Sequence, residues 1–264
     1  MQIDKNDIII VIPTHKPTIN SYERTSLEQL LKILPDYKIV FAIPDHIEFS
    51  PAQLIPGNKI LEKVEVVRFK KEGFASAKGY NKLLVTKDFF EPFRKYKFMF
   101  LYQMDAYVFY DALQEWASKG YDYIGAPWVK EDEMHLMKTM YRGKYSFVFS
   151  FMRFINRVFF GKKDYAIGNG GMSLRNIPKS LLVLDKLSSL ANKWQTHEDI
   201  FWSMAVPMLY PFFKVPNMNE AFSFSFERDP EKFLELNNNQ LPFGCHAWEK
   251  FSPEFWKKHI PIIN

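Results

Sequence analysis

The stretch Phe98-Met-Phe-Leu-Tyr-Gln-Met-Asp-Ala-Tyr-Val-Phe109 decides how the rest of the chain is read. An apolar run of strand length ends at one carboxylate, Asp105, and a second apolar group follows at once. A charge set between two buried segments is costly unless it is paired or bound to a metal, and ligands of open α/β sheets sit beyond the carboxyl ends of the strands. Asp105 is therefore the first candidate site residue. The same position suits a residue that caps a turn or the next helix, and this stretch alone leaves both readings open.

Outward toward the N-terminus, Ile8 to Ile12 is a continuous apolar run stopped by Pro13-Thr-His-Lys-Pro17, the pattern of a buried parallel strand followed by a polar loop. Asn20-Ser-Tyr-Glu23 has capping-box spacing, and Tyr22, Leu27, Leu30, Leu31 and Leu34 recur at helical period. Lys38 to Ile43 and Val64 to Phe69 read as further strands, Gly79 to Leu84 as a helical segment and Tyr96 to Tyr102 as the fourth strand. Such alternation predicts an α/β fold with a Rossmann-like, mostly parallel central sheet. Past Asp105, the spacing predicts a helix over 111–119 with Gly120 at its end, then a strand from Tyr121 that runs into a turn at Pro127-Trp128.

At 264 residues and 47% hydrophobic content, the chain can bury the core of one large domain. Asp105 divides this domain into two halves, 1–105 and 106–264. An excess of five positive charges favours anionic partners without choosing among them. A single cysteine, Cys245, excludes an intramolecular disulfide and fits a reducing cytoplasm. The opening Met1 to Asp7 carries two acids before a short apolar run, which suits neither a signal peptide nor a membrane span.

From Met134 to Lys163 there is no acid, while Lys138, Arg142, Lys144, Arg153, Arg157, Lys162 and Lys163 alternate with aromatics. Wound as a helix, residues 147–159 place Phe147, Val148, Phe151, Phe154, Ile155 and Val158 on one side, with Ser150, Arg153, Asn156 and Arg157 opposite. A basic aromatic helical insertion over about 134–163 follows. Such a helix either lies on an anionic membrane surface or covers the sheet.

Three more clusters carry chemistry. Ile167-Gly-Asn-Gly-Gly-Met-Ser-Leu-Arg175 has the glycines for close backbone approach to a ligand, though a hairpin of no function would look alike. Its spacing fits neither a Walker loop nor a dinucleotide fingerprint. His197-Glu-Asp-Ile-Phe-Trp202 sets two adjacent acids before a helical segment, an arrangement that the helix dipole alone stabilises. Leu241-Pro-Phe-Gly-Cys-His-Ala-Trp248 puts His246 among small and apolar residues, where a hydrogen-bonded structural role is the bland alternative.

Taken in order, these elements resemble the nucleotide-sugar-dependent glycosyltransferases of the GT-A fold. The series Tyr-Gln-Met-Asp-Ala-Tyr-Val-Phe, Gly-Tyr-Asp-Tyr-Ile-Gly-Ala-Pro-Trp, Gly-Asn-Gly-Gly-Met-Ser-Leu-Arg and Glu-Asp-Ile-Phe looks, more narrowly, like a bacterial domain-of-unknown-function family attached to that superfamily and similar to polysaccharide-biosynthesis transferases. The resemblance runs from about Ile8 to Trp248 and implies a nucleotide-binding half, 1–105, and a half for donor sugar and acceptor, 106–264. It implies that Gln103-Met-Asp105 stands for the family's Asp-x-Asp motif, with Asp105 as metal-binding acid and Gln103 in the place of the lost first acid, facing the donor ribose. That loss puts metal dependence in question. The resemblance further implies that His246 completes the shell of Mn²⁺ or Mg²⁺, a hard ion suited to oxygen ligands and one imidazole. Asn169, Gly170 and Gly171 would back the donor sugar, and Pro13, Thr14, His15, Lys16 and Asp45 would cradle base and ribose. Asp199, with Glu198 as second choice, would deprotonate the acceptor in an inverting transfer. The expected donor is a UDP-sugar and the expected acceptor a glycan or lipid-linked hydroxyl in surface-polysaccharide assembly, with the enzyme in the cytoplasm or peripheral at the inner membrane.

Two other classes fit parts of the chain. The missing acid suits a catalytically inactive nucleotide-sugar-binding or glycan-binding scaffold. The basic aromatic stretch suits a nucleic-acid binder, but its charge is confined to one segment and no RNA or DNA module is present, so no nucleic-acid partner is expected.

Overall fold

The computed structural model describes residues 3–128, 146–160 and 167–262. Six strands form the central sheet in the order β3-β2-β1-β4-β7-β6. They are β1 (Ile8–Pro13), β2 (Lys38–Pro44), β3 (Glu65–Phe69), β4 (Phe98–Tyr102), β6 (Tyr123–Ile124) and β7 (Met172–Asn176). The first four run parallel, whereas β7 is antiparallel to both β4 and β6. A second, three-stranded sheet joins β5 (Ala106–Val108), β9 (Gly244–His246) and β8 (Ser225–Phe226) in that order.

Both faces of the central sheet are covered, which is why its strands read as unbroken apolar runs. Alternate residues of β1 serve opposite cores. Ile9 and Val11 pack with Phe89, Phe90, Leu184 and Trp202, while Ile8, Ile10 and Ile12 pack with Leu27, Leu30, Leu31 and Leu34 of helix Ser21–Ile33. That helix begins at the capping box expected from sequence, with the Asn20 side chain accepting the Glu23 N–H and Glu23 reaching back to the Asn20 N–H. The helix expected over 111–119 is shorter, Leu113–Ser118, because the Asp111 carboxylate is engaged with Lys5 and the Tyr37 hydroxyl ahead of it.

Strand order reverses between β1 and β4. Chain leaving β1 moves to β2 and β3 on one side, then returns to β4 on the other, so the loops after β1 and β4 part and leave a crevice at their carboxyl ends. Of the basic insertion, residues 146–160 form one helix, Ser146–Phe160, packed against Val206–Leu209. Phe147, Val148, Phe151, Phe154 and Val158 are exposed on it, so this face does not cover the sheet. Lys138, Arg142, Lys144, Lys162 and Lys163 lie outside the described residues.

Candidate active site

The crevice holds a cavity of about 620 Å³. Pro13, Thr14, His15 and Lys16 after β1 form one wall, Gln103, Met104 and Asp105 after β4 form the floor, and Tyr80, Glu249 and Lys250 line it from elsewhere in the chain. Of the residues assigned to the nucleotide from sequence, Asp45 is not among the lining residues. Its neighbours Pro44 and His46 line an adjoining recess of about 240 Å³. The Thr14 hydroxyl donates to the Lys16 carbonyl and so shapes the loop after β1.

Asp105 sits in a tight turn closed by the Ala106 N–H donating to the Gln103 carbonyl, 2.9 Å. The chain then enters the second sheet, where Ala106 stands opposite His246 in the β5–β9 register. This pairing brings a residue near the end of the chain, buried and outside the cavity lining, against the floor residues. His246 Nε2 lies 3.1 Å from Asp105 Oδ1 and 3.2 Å from Gln103 Oε1, and its Nδ1 lies 3.4 Å from Glu227 Oε1. Glu227 follows β8, whose parallel register with β9 sets Phe226 beside Cys245 and hence Glu227 beside His246. Lys250 Nζ reaches the other Asp105 oxygen at 2.8 Å.

Charge in this cluster is balanced among its own members. Burial disfavours an imidazolium at His246, but the adjacent Asp105, and after it Glu227, outweigh this and raise its pKa to about 10. Burial likewise opposes ionisation of Asp105, and His246 and Lys250 overcome it, holding the carboxyl below the usual range. Among the described residues no three His, Cys, Asp or Glu side chains form a group able to hold a metal ion. The 3.1 and 3.2 Å separations of His246 Nε2 from Asp105 Oδ1 and Gln103 Oε1 are those of an ion pair and a hydrogen bond. A hard cation here would have to replace the imidazole proton, since a ligating histidine is neutral, with Asp105 and the Gln103 amide oxygen as the oxygen donors beside it.

The glycine loop before β7 stands behind this cluster because Tyr102 pairs with Met172 and the Gln103 N–H donates to the Gly171 carbonyl. The protein's own groups, as well as any ligand, require these glycines. A Cβ on Gly171 would stand 1.9 Å from His246 Nε2, and one on Gly170 would stand 1.8 Å from Glu198 Oε1. Asn169, expected at the donor sugar, uses its side-chain oxygen to accept the Gly171 N–H at 2.8 Å and so fixes the loop. Gly171→Ala is expected to push His246 off Asp105 and Gln103 and to cost about 10²-fold in turnover, the scale of a misplacement of one ångström. A folded variant with unchanged turnover would show that the close approach is not required.

The Glu-Asp pair divides its work. Glu198 is buried and paired with Arg175 of β7, itself 1% exposed, through contacts of 3.0 Å (Nη2 to Oε1) and 2.9 Å (Nη1 to Oε2). The first is an aligned hydrogen bond; the second is a charge pair off the hydrogen-bond line. Arg175 also donates to Ser173 Oγ and, at 3.3 Å, to the Gly170 carbonyl, and it lies 5.3 Å from the Tyr123 ring centre. The Glu198 N–H is held by Asn81, one residue beyond the cavity-lining Tyr80. Glu198 is thus a scaffold carboxylate. Glu198→Ala would leave a buried guanidinium without its counter-charge and is expected to cost about 3–5 kcal/mol of stability, measured by denaturant unfolding; a cost under about 1 kcal/mol would contradict this.

Asp199 is half-buried, and its Oδ1 accepts the Ile200 N–H at 2.8 Å. Burial first, then the neighbouring Glu198, holds its carboxyl well above the ordinary range. A π-helical turn, Phe201–Ala205, follows at once, a feature that recurs at functional sites. Sequence reasoning missed Glu227, Lys250 and Arg175. Glu227 repeats the signal that singled out Asp105, an acid directly after the apolar run Phe222-Ser-Phe-Ser-Phe226. For Lys250 and Arg175 no comparable signal exists.

The architecture is the GT-A fold, a mixed and mostly parallel sheet with its crevice at the β1/β4 switch point. Solved structures that share it include three glycosyltransferases. The galactosyltransferase LgtC in complex with donor and acceptor sugar analogues matches at TM-score 0.50 and 14% identity, over 96% of this chain and 91% of that one. Mouse xyloside xylosyltransferase 1 in its apo form matches at 0.54 and 13%, over 91% and 97%. A glycosyltransferase involved in glycosylation of the major capsid of PBCV-1 matches at 0.50 and 12%, over 97% and 99%. At such identities the likeness concerns the fold. The chain belongs to the family described as Protein of unknown function (DUF5672), matched over residues 63–246. No curated protein matches it by sequence.

Proposed function

We propose that the chain transfers a sugar from a nucleoside-diphosphate sugar to an acceptor hydroxyl. The observation that carries this reading is the convergence of Gln103, Asp105 and Lys250 on a cavity at the switch point of a GT-A fold, with the buried His246 held against Asp105 and Gln103. The nucleoside occupies the cavity beside Thr14, His15 and Tyr80, with a UDP-sugar as the expected donor. The diphosphate points to the floor beside Lys250, with Lys16 of the wall, paired to Glu23, as a second cation of the cavity.

In an inverting transfer the acceptor oxygen attacks the anomeric carbon as the bond from that carbon to the phosphate oxygen breaks. Negative charge develops on the leaving diphosphate, and Lys250 is placed to stabilise it. Asp199 takes the proton from the acceptor hydroxyl as general base. Asp105, His246 and the Gln103 amide oxygen would hold Mn²⁺ or Mg²⁺, which when bound offsets charge on the leaving group. Glu227, on the far nitrogen of His246, holds the ring in orientation as outer-shell carboxylates do for ligating histidines. The acceptor is a glycan or lipid-linked hydroxyl of surface-polysaccharide assembly.

Calorimetric titration with UDP, GDP and CDP, with and without Mn²⁺, tests the binding half of this reading. Tight, Mn²⁺-dependent binding of one nucleotide supports it, and indifference to all three contradicts it. A second reading, a binding scaffold without turnover, is favoured by one feature: Asp105 is already neutralised by His246 and Lys250, and Gln103 stands where the family motif has an acid. Donor turnover separates the two.

A further inference from the structure

We propose that helix Ser146–Phe160 is a docking face for an anionic phospholipid surface. Phe147, Phe151, Phe154 and Val158 fall at intervals of four, three and four residues, one stripe of a helix, and are 80%, 54%, 62% and 57% exposed. Val148 beside them is 45% exposed. These five make up half of the ten large hydrophobic side chains exposed among the described residues, the other five being scattered. Beside this stripe Met152 and Ile155 are half-buried, and the helix packs against Val206–Leu209.

Charge selects the occupant. Helix Ser146–Phe160 carries Arg153 and Arg157 and no Asp or Glu. A second copy pairing through the same face would set this acid-free stretch against itself, since a two-fold contact uses one patch twice. An anionic lipid surface satisfies both properties: headgroups meet the cations while the Phe stripe enters the boundary of the acyl region. Among the described residues no helix is long and apolar enough to cross a membrane.

Position gives the docking a purpose. The insertion leaves the chain after Trp128 and rejoins it at Ile167, and its base is closed by the bridge between Pro127 and Ile167. The Trp128 ring packs so closely on Gly168 that a Cβ there would stand 2.3 Å from it. The face is thus rooted in the loop that carries Asn169, Gly170 and Gly171. This inference rests on the proposed transferase reading only for its use, the meeting of the site with an acceptor held on a lipid; the docking itself is tested without turnover.

The test is co-sedimentation of the full chain with vesicles of phosphatidylcholine, alone or mixed with phosphatidylglycerol. Binding is expected only to the mixed vesicles and should weaken as salt rises. Phe147→Asp, Phe151→Asp and Phe154→Asp together are expected to lower it at least tenfold with circular dichroism and nucleotide affinity unchanged. Arg153→Gln with Arg157→Gln should lower it about 25-fold, roughly fivefold for each charge near the surface, and serves independently if the triple variant misfolds. Equal binding to neutral vesicles, no binding at all, variants that pellet like the wild type, or a dimer in solution that the Phe variants dissolve would each overturn the proposal.

Discussion

Replacing Asp199 with Asn is expected to lower turnover by about 10²–10⁴-fold, the contribution of a positioned general base, and to leave donor affinity nearly unchanged. The variant should fold, because an Asn side-chain oxygen can accept the same Ile200 N–H. Wild-type activity carries a matching pH signature. A base works only when deprotonated, and burial together with Glu198 holds the Asp199 carboxyl above its usual range. Activity should therefore rise with pH through an apparent pKa above the ordinary aspartate value of about 3.9, and this limb should disappear in Asp199→Asn. Full turnover in a folded Asp199→Asn would remove the assignment. Glu198 is a poor substitute for the role, since both of its oxygens face Arg175.

Asp105→Asn is expected to abolish Mn²⁺-dependent nucleotide binding, a loss beyond the 10–100-fold usual when only an outer-shell partner of a metal ligand is removed. The carboxylate holds His246 on one oxygen and Lys250 on the other, so the change also frees both cations. Titration of wild type and variant with nucleotide at several Mn²⁺ concentrations reads the effect. Equal Mn²⁺-dependent affinities in two folded proteins would show that Asp105 is held for the ion pairs alone.

Much of the first half, residues 1–105, was legible because its signals are local. The apolar runs of β1, β2 and β4 are continuous since both faces of the sheet are covered, and Asn20 with Glu23 marks the start of a helix within four residues of sequence. Asp105 was legible as an acid at a strand end. The rest of the site depends on pairings that no local signal records. Strands β5, β8 and β9 are two or three residues long, and β5 meets β9 across more than a hundred residues of chain. Their register alone places His246 and Glu227 beside Asp105. Arg175 looked like the end of a glycine hairpin, yet it is the buried partner that takes Glu198 out of catalytic contention. The glycines were read as making room for a ligand, and the closest groups prove to be Glu198 and His246. Exposure of Phe147, Phe151 and Phe154 could not be read from the pattern either, because a stripe of that period serves a buried and an exposed face equally well.

Sugar transfer itself is tested most directly by incubating the chain with UDP-, GDP-, CMP- and dTDP-sugars in the presence of Mn²⁺ and following nucleotide release. The predicted result is turnover of one nucleoside-diphosphate sugar by the wild type, lost in Asp199→Asn while nucleotide still binds. Nucleotide binding without turnover of any donor, with glycan and lipid-linked acceptors supplied, would contradict it and leave a binding scaffold of the same fold.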